Sequence, residues 1–103
     1  MRMVIGNGTS KIDPTLIKAI VRAHAWYDDL ISGRERSIAA IAVRENSNKS
    51  YISSVMKLTF LAPDIIEAII SGHQPDDLTA DKLIKQNNLP LVWTEQKRVL
   101  SFH

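Results

Sequence analysis

The stretch SIAAIAVRENSNKSYISSVMKL, residues 37–58, decides the fold. Apolar residues recur at helical spacing on both sides of a polar turn. They are Ile38, Ile41 and Ala42 before the turn, and Ile52, Val55 and Met56 after it. Within the turn Asn46-Ser47-Asn48, asparagine tolerates the left-handed backbone that a sharp reversal needs, and Asn48 can cap the following helix. This pattern predicts two short helices joined by a tight turn, which is the layout of a helix-turn-helix.

The second predicted helix, from Lys49 to Leu58, has polar side chains on its outward side, and none of them is acidic. They are Lys49, Ser50, Tyr51, Ser53, Ser54 and Lys57. Such side chains can donate hydrogen bonds to phosphates and base edges, and the second helix of this motif lies in the major groove. We therefore predict base-edge contacts from Lys49, Ser50 and Ser53, and a phosphate contact from Lys57. Helical hairpins in ordinary bundles have the same spacing, so a purely structural helix pair is the alternative.

Three arginines near the motif are candidates for DNA-backbone contacts. Arg34 and Arg36 lie just before the first helix of the motif, and Arg44 lies within that helix. The first helix of a helix-turn-helix crosses the phosphate backbone, which makes this role plausible. A solvated loop is an equally good interpretation of Arg34 and Arg36. Asn48, at the start of the second helix, completes the set of predicted DNA-binding residues.

Length and charge set limits on the class of protein. A chain of 103 residues is expected to form one domain with a modest core. The net charge of +2 is only mildly basic, so any nucleic-acid binding must come from local clusters of charge. The absence of cysteine excludes disulfides and thiolate metal sites and fits a reducing compartment such as the cytoplasm. No apolar run approaches the roughly 20 residues of a membrane span.

Helix start and stop signals predict four further helices, over about 14–31, 63–71, 80–86 and 95–100. Asp13, Thr79 and Thr94 are the expected capping residues of these helices, Ser37 is the expected cap of the first motif helix, and Gly33 and Gly72 are the expected stops. The helix that begins at Pro63 is expected to bury Ile65, Ile66, Ile69 and Ile70 and to pack behind the motif. The sequence thus predicts an all-α domain of about six helices over residues 13–103.

Residues 1–12 form a predicted extended segment in front of this helical domain. Arg2 to Ile5 is β-prone, and Gly6-Asn7-Gly8 ends it. A single strand cannot satisfy its own backbone, so we predict pairing with a second copy or a partner, and hence a possible homodimer. The alternatives are that the segment lies against the domain, frays, or is the end of a longer parent chain.

The sequence has no recognisable catalytic constellation. It has no glycine-rich phosphate loop, no histidine pair at metal-ligand spacing, and no serine with a plausible base. We therefore predict a non-enzyme without cofactor, metal or small-molecule substrate.

Four segments carry a family resemblance. They are IVRAHAW at 20–26, the Tyr51-Ile52-Ser53 triplet, the segment from Leu61 to Thr79 that begins LAPDIIEAI, and the segment from Leu89 to Phe102 that begins LPLVWTEQ. Through them nearly the whole chain resembles the C-terminal region of bacterial serine recombinases, the resolvase and invertase family. The helix-turn-helix and the helix after it also resemble the DNA-binding domain of KorB and ParB partition proteins.

This resemblance implies a double-stranded-DNA-binding module that positions a recombinase on its site. It does not imply catalysis, because the family's serine nucleophile and arginine cluster belong to an N-terminal domain without a counterpart in this sequence. The family's usual Gly-Val in the turn is replaced here by Asn46-Ser47. There are two alternative functions. One is a small stand-alone transcriptional regulator, and the other is a protein-interaction module that keeps the fold.

Overall fold

The computed structural model describes residues 11–86, 89–100 and 102. These residues form six α-helices and one short 3-10 helix and contain no strand, so the domain is all-α as predicted. The helices are α1 (Pro14–Ser32), α2 (Ile38–Arg44), α3 (Lys49–Met56), the 3-10 helix (Lys57–Phe60), α4 (Pro63–Ile70), α5 (Ala80–Lys85) and α6 (Trp93–Val99). The β-prone segment and the dimer predicted through it lie outside the described residues.

The long helix α1 is the centre of the packing. Its start is fixed by Asp13, whose Oδ1 accepts hydrogen bonds from the Thr15 and Leu16 N–H groups at 3.0 and 3.2 Å. It ends at Gly33, which has the left-handed φ of 81°. Helix α1 packs against α3, the 3-10 helix, α4 and α5. The helix behind the motif is therefore α1, and the prediction that α4 fills this place was wrong.

One core joins the helices. It contains six residues at predicted apolar positions of α2, α3 and α4: Ile41, Ala42, Ile52, Val55, Ile65 and Ile69. In α4, however, Ile66 is only partly buried and Ile70 is 53% exposed, because only one side of this helix faces α1. Helix α6 begins at Trp93, so Thr94 lies inside the helix and does not cap it.

The first described residues are attached to the loop after α4. The Lys11 N–H donates to the Gly72 carbonyl at 2.7 Å, and the Gln74 side-chain amide donates to the Lys11 carbonyl at 3.0 Å. Gly72 has a φ of 77°, which suits glycine, and its α-carbon lies against the Lys11 backbone. These contacts fix the direction in which the chain enters α1.

A fully buried glutamine connects α6 to the segment in front of α4. Gln96 accepts a hydrogen bond at Oε1 from the Ala62 N–H at 2.8 Å. Its Nε2 donates to the carbonyls of Phe60 and Pro90, at 2.9 and 2.8 Å. A buried amide with three partners is satisfied rather than costly, so Gln96 holds the C-terminal segment in place.

Candidate nucleic-acid interface

The turn between α2 and α3 has the geometry that the sequence predicts. Ser37 caps α2, with its Oγ accepting from the Ala40 N–H at 3.0 Å. Asn46 has a left-handed φ of 55°, which reverses the chain. Asn48 caps α3, with its Oδ1 accepting from the Tyr51 N–H at 2.8 Å. The Asn48 side-chain oxygen, predicted as a DNA-binding group, is thus used to begin the helix.

Helix α3 buries one side and exposes the other. Ile52, Val55 and Met56 are in the core. The opposite side forms an open surface, which we call the α3 outer face, lined by Lys49, Ser50, Ser53, Ser54 and Lys57. No carboxylate of the described residues lines it. The structure therefore brings five of the predicted DNA-binding side chains together on one surface, at the edge of which lies half-exposed Tyr51.

Lys57 has a different setting from the other candidates. The α-helix ends at Met56, two residues earlier than predicted, and Lys57 begins the 3-10 helix. Its Nζ donates to the Gln86 carbonyl at the C-terminal end of α5, at 2.6 Å. An ammonium at a helix C-terminus is favourable because carbonyls there lack partners. Lys57 therefore links α3 to α5, a role that sequence analysis missed.

Two of the three arginine candidates belong to a group of charged side chains at the C-terminal ends of α1 and α2. This ion-pair cluster consists of Asp28, Asp29, Arg34, Glu35, Arg44 and Glu45. Arg44 Nη1 lies 2.9 Å from both Asp29 and Glu35, and Arg34 Nε lies 3.0 Å from Asp29. Two arginines against four carboxylates leave the cluster with a net charge of −2.

The two guanidinium groups hold the cluster in its ionised form. Hydrogen bonds from Arg34 and then Arg44 lower the pKa of Asp29 below its ordinary value. The pKa of Arg34 and the pKa of Arg44 are both raised, and the hydrogen bond to Asp29 is the largest cause in each case. Arg34 and Arg44 are thus engaged with carboxylates, and their role as phosphate contacts stays a prediction. Arg36 is exposed and forms no ion pair with the described residues.

Two further depressions adjoin these elements. One is a groove between α3 and α5, lined by Ser50, Tyr51, Ser54, Asp81, Ile84 and Lys85. The other is a mainly apolar groove, lined by His24, Thr59, Phe60, Leu61, Pro63, Ile66, Leu91 and Trp93. Neither was foreseen, because each combines residues from helices whose packing the sequence pattern does not give.

Comparisons of the chain with family models, with curated proteins and with solved structures found no match. None of the described helices is long and apolar enough to cross a membrane. The described residues also hold no group of three or more histidine, cysteine or acidic side chains placed to bind a metal ion.

Proposed function

We propose that this chain is a cytoplasmic DNA-binding domain that reads double-stranded DNA with α3. The observation that carries the proposal is the α3 outer face, where Lys49, Ser50 and Ser53 stand exposed beside a tight turn and no described carboxylate lines the surface. We further propose that the domain is the target-recognition module of a site-specific serine recombinase, without a catalytic role of its own. This second step is supported by the sequence resemblance alone.

The dimensions of α3 suit this function. A helix with its side chains is about 10–12 Å across, and the major groove is about 12 Å wide. The first turns of a recognition helix meet the base edges. Lys49 and Ser50 occupy the first turn of α3, and Ser53 follows one turn later on the same exposed side. Lysine donates to guanine, and serine hydroxyls bond to any base with a donor or acceptor.

The charge distribution predicts modest, salt-sensitive binding. The net charge is +2, and the ion-pair cluster removes the contribution of two arginines near the motif. Each neutralised phosphate contributes about −0.9 to the slope of log affinity against log salt. With Lys49, Arg36 and one or two other cations as contacts, we expect a slope of about −2.7 to −3.6.

The test is a gel-shift and fluorescence-anisotropy measurement with DNA flanking the gene and with mixed-sequence duplex, at low and moderate salt. The parent chain should bind both, and the Ser50→Ala, Ser53→Ala double variant should lose about 1–3 kcal/mol on the preferred site and little on mixed-sequence DNA. Lys49→Ala should weaken binding to the preferred site as well.

Ser71→Ala is the matched control, because Ser71 is an exposed serine that caps the C-terminal end of α4 and does not line the α3 outer face. It should bind like the parent. No binding to any duplex at low salt would overturn the proposal. Unchanged discrimination in the folded double variant would show that α3 is not the reader.

The second candidate function is a protein-interaction module. The apolar groove beside α1 and α4 favours it, because Phe60, Leu91 and Trp93 are each about half exposed or more. Exposed aromatic groups of this kind are frequent at protein interfaces. The absence of DNA binding in the experiment above, together with a folded chain, would favour this candidate.

A further inference from the structure

The groove between α3 and α5 is continuous with the α3 outer face. Ser50 and Ser54 line both surfaces. On its other side the groove is bounded by α5, which contributes Ile84 and the ion pair of Asp81 with Lys85. The volume of the groove is about 480 Å³. A ligand on the α3 outer face therefore has access to Lys85 without any rearrangement of the helices.

We propose that this groove receives the sugar–phosphate backbone of one DNA strand, with Lys85 as the phosphate-binding cation. The inference rests on the proposed function of α3. When a helix fills the major groove, the two backbones that border that groove run along the two sides of the helix. Helix α5 packs beside α3 and so occupies one of these sides.

The lining of the groove fits a phosphate backbone chemically. The hydroxyls of Ser50, Tyr51 and Ser54 can donate to phosphate oxygens, and Lys85 supplies a positive charge. Asp81 is the present partner of Lys85, with 3.2 Å between Nζ and Oδ2, and both side chains are 74% exposed. An exposed pair of this kind contributes little and is screened by salt, so a phosphate can replace Asp81.

Of the two surfaces that flank α3, the one toward α5 is less acidic than the ion-pair cluster, which favours phosphate in the groove. Toward α2, the ion-pair cluster has a net charge of −2, and Arg44 already contacts three carboxylates. On the side toward α5, the Lys57 ammonium donates a hydrogen bond to the Gln86 carbonyl at the C-terminal end of α5. This hydrogen bond holds the backbone at Gln86, next to Lys85, against the 3-10 helix that follows α3.

Lys82 offers a matched control on the same helix. It carries the same charge as Lys85 and has a similar exposed carboxylate partner, Asp77, at 3.6 Å. It lies on the other side of α5, in a depression lined by Asp77, Leu78, Gln86, Val99 and Leu100. A comparison of Lys85→Ala with Lys82→Ala therefore separates a contact in the groove from the general loss of one positive charge.

The experiment measures the affinity of the full chain for a fluorescent, mixed-sequence duplex of about three helical turns, as a function of salt. Lys85→Ala should make the slope of log affinity against log salt less negative by about 0.9. The factor by which the variant binds more weakly than the parent should therefore shrink about 3.5-fold between about 50 and 200 mM salt. Lys82→Ala should keep the slope of the parent. Asp81→Asn should bind more tightly than the parent, because Lys85 then has no competing carboxylate.

The outcomes separate this inference from the proposed function. Equal slopes for Lys85→Ala and Lys82→Ala, with DNA binding by the parent intact, would overturn the groove proposal and leave α3 as the reader. A parent that binds no duplex would overturn both. If Lys85→Ala lost helical structure, Asp81→Asn would decide, since unchanged or weaker binding by that variant contradicts a phosphate on Lys85.

Discussion

Two glycines provide a matched test of how the start of α1 is held. Gly72 and Gly33 each follow a helix and have nearly the same positive φ, 77° and 81°. Their surroundings differ. A β-carbon on Gly72 would lie 2.7 Å from the Lys11 nitrogen and 2.8 Å from the Ile12 nitrogen, whereas one on Gly33 would meet nothing within 4 Å. Gly33→Ala and Gly72→Ala therefore have about the same backbone strain, and Gly72→Ala adds a steric clash.

The magnitudes follow from these two terms. An alanine in the left-handed backbone conformation destabilises the folded state by about 1–2 kcal/mol. Alanine also reduces the conformational entropy of the unfolded chain, which offsets about 0.4–1 kcal/mol of this destabilisation. Gly33→Ala should therefore lower the free energy of unfolding by about 1 kcal/mol. Gly72→Ala must also move the Lys11 backbone away, which weakens the hydrogen bonds that join it to Gly72 and Gln74. At about 0.5–1.5 kcal/mol for each bond, Gly72→Ala should cost about 1–3 kcal/mol more than Gly33→Ala.

The assay is urea and thermal unfolding of the parent and both variants, followed by far-ultraviolet circular dichroism. For a domain of this size about 1 kcal/mol corresponds to roughly 4–8 °C, so Gly72→Ala should melt at least about 4 °C below Gly33→Ala. Equal melting temperatures for the two variants would refute the reasoning, because they would mean that Lys11 does not lie against Gly72 in solution.

Other predictions concern the motif and its charges. Ala42→Leu should lower the free energy of unfolding by about 1–3 kcal/mol through overpacking, because Ala42 is buried in the core; an unchanged urea midpoint would contradict close packing around Ala42. Arg44→Gln should reduce stability and leave the DNA salt slope unchanged, whereas Arg36→Gln should lower the slope by about 0.9 and leave the urea midpoint unchanged. The pKa of Asp29 is lowered in the folded state, so its contribution to stability is present above pH 3.8 and is lost as the pH falls through the folded pKa. The loss of stability between neutral pH and pH values below about 4 should accordingly be smaller in Asp29→Asn than in the parent, and an identical loss would argue against the ion-pair cluster.

The sequence was sufficient for features that depend on neighbouring residues. The caps at Asp13, Ser37, Asn48 and Thr79 all bond to N–H groups two or three residues further on, so a short window of sequence contains both partners. The left-handed conformation at Asn46 likewise depends on the residue type at that position and on its immediate neighbours. The buried sides of α2 and α3 follow from helical periodicity. These features place the α3 outer face correctly.

Features that depend on packing between distant elements were missed. Arg44 bonds to Asp29, fifteen residues away, and Lys57 bonds to Gln86, twenty-nine residues away. No periodicity connects such residues, so these contacts within the domain were not predicted. The wrong prediction of α4, instead of α1, as the helix behind the motif has the same cause. Both helices have an apolar side, and the sequence pattern does not show which of them packs against the motif. DNA binding and the recombinase assignment stay predictions.

The bonding of Gln96 has a consequence for sequence variation. All three of its partners are backbone groups, those of Phe60, Ala62 and Pro90. Every residue type has a backbone carbonyl, and every type except proline has the N–H that position 62 supplies. Substitutions at 60 and 90 therefore need no compensating change at 96, although burial confines position 62 to small side chains. In an alignment of homologues, glutamine at 96 should be nearly invariant and yet show no covariation with the positions that it joins.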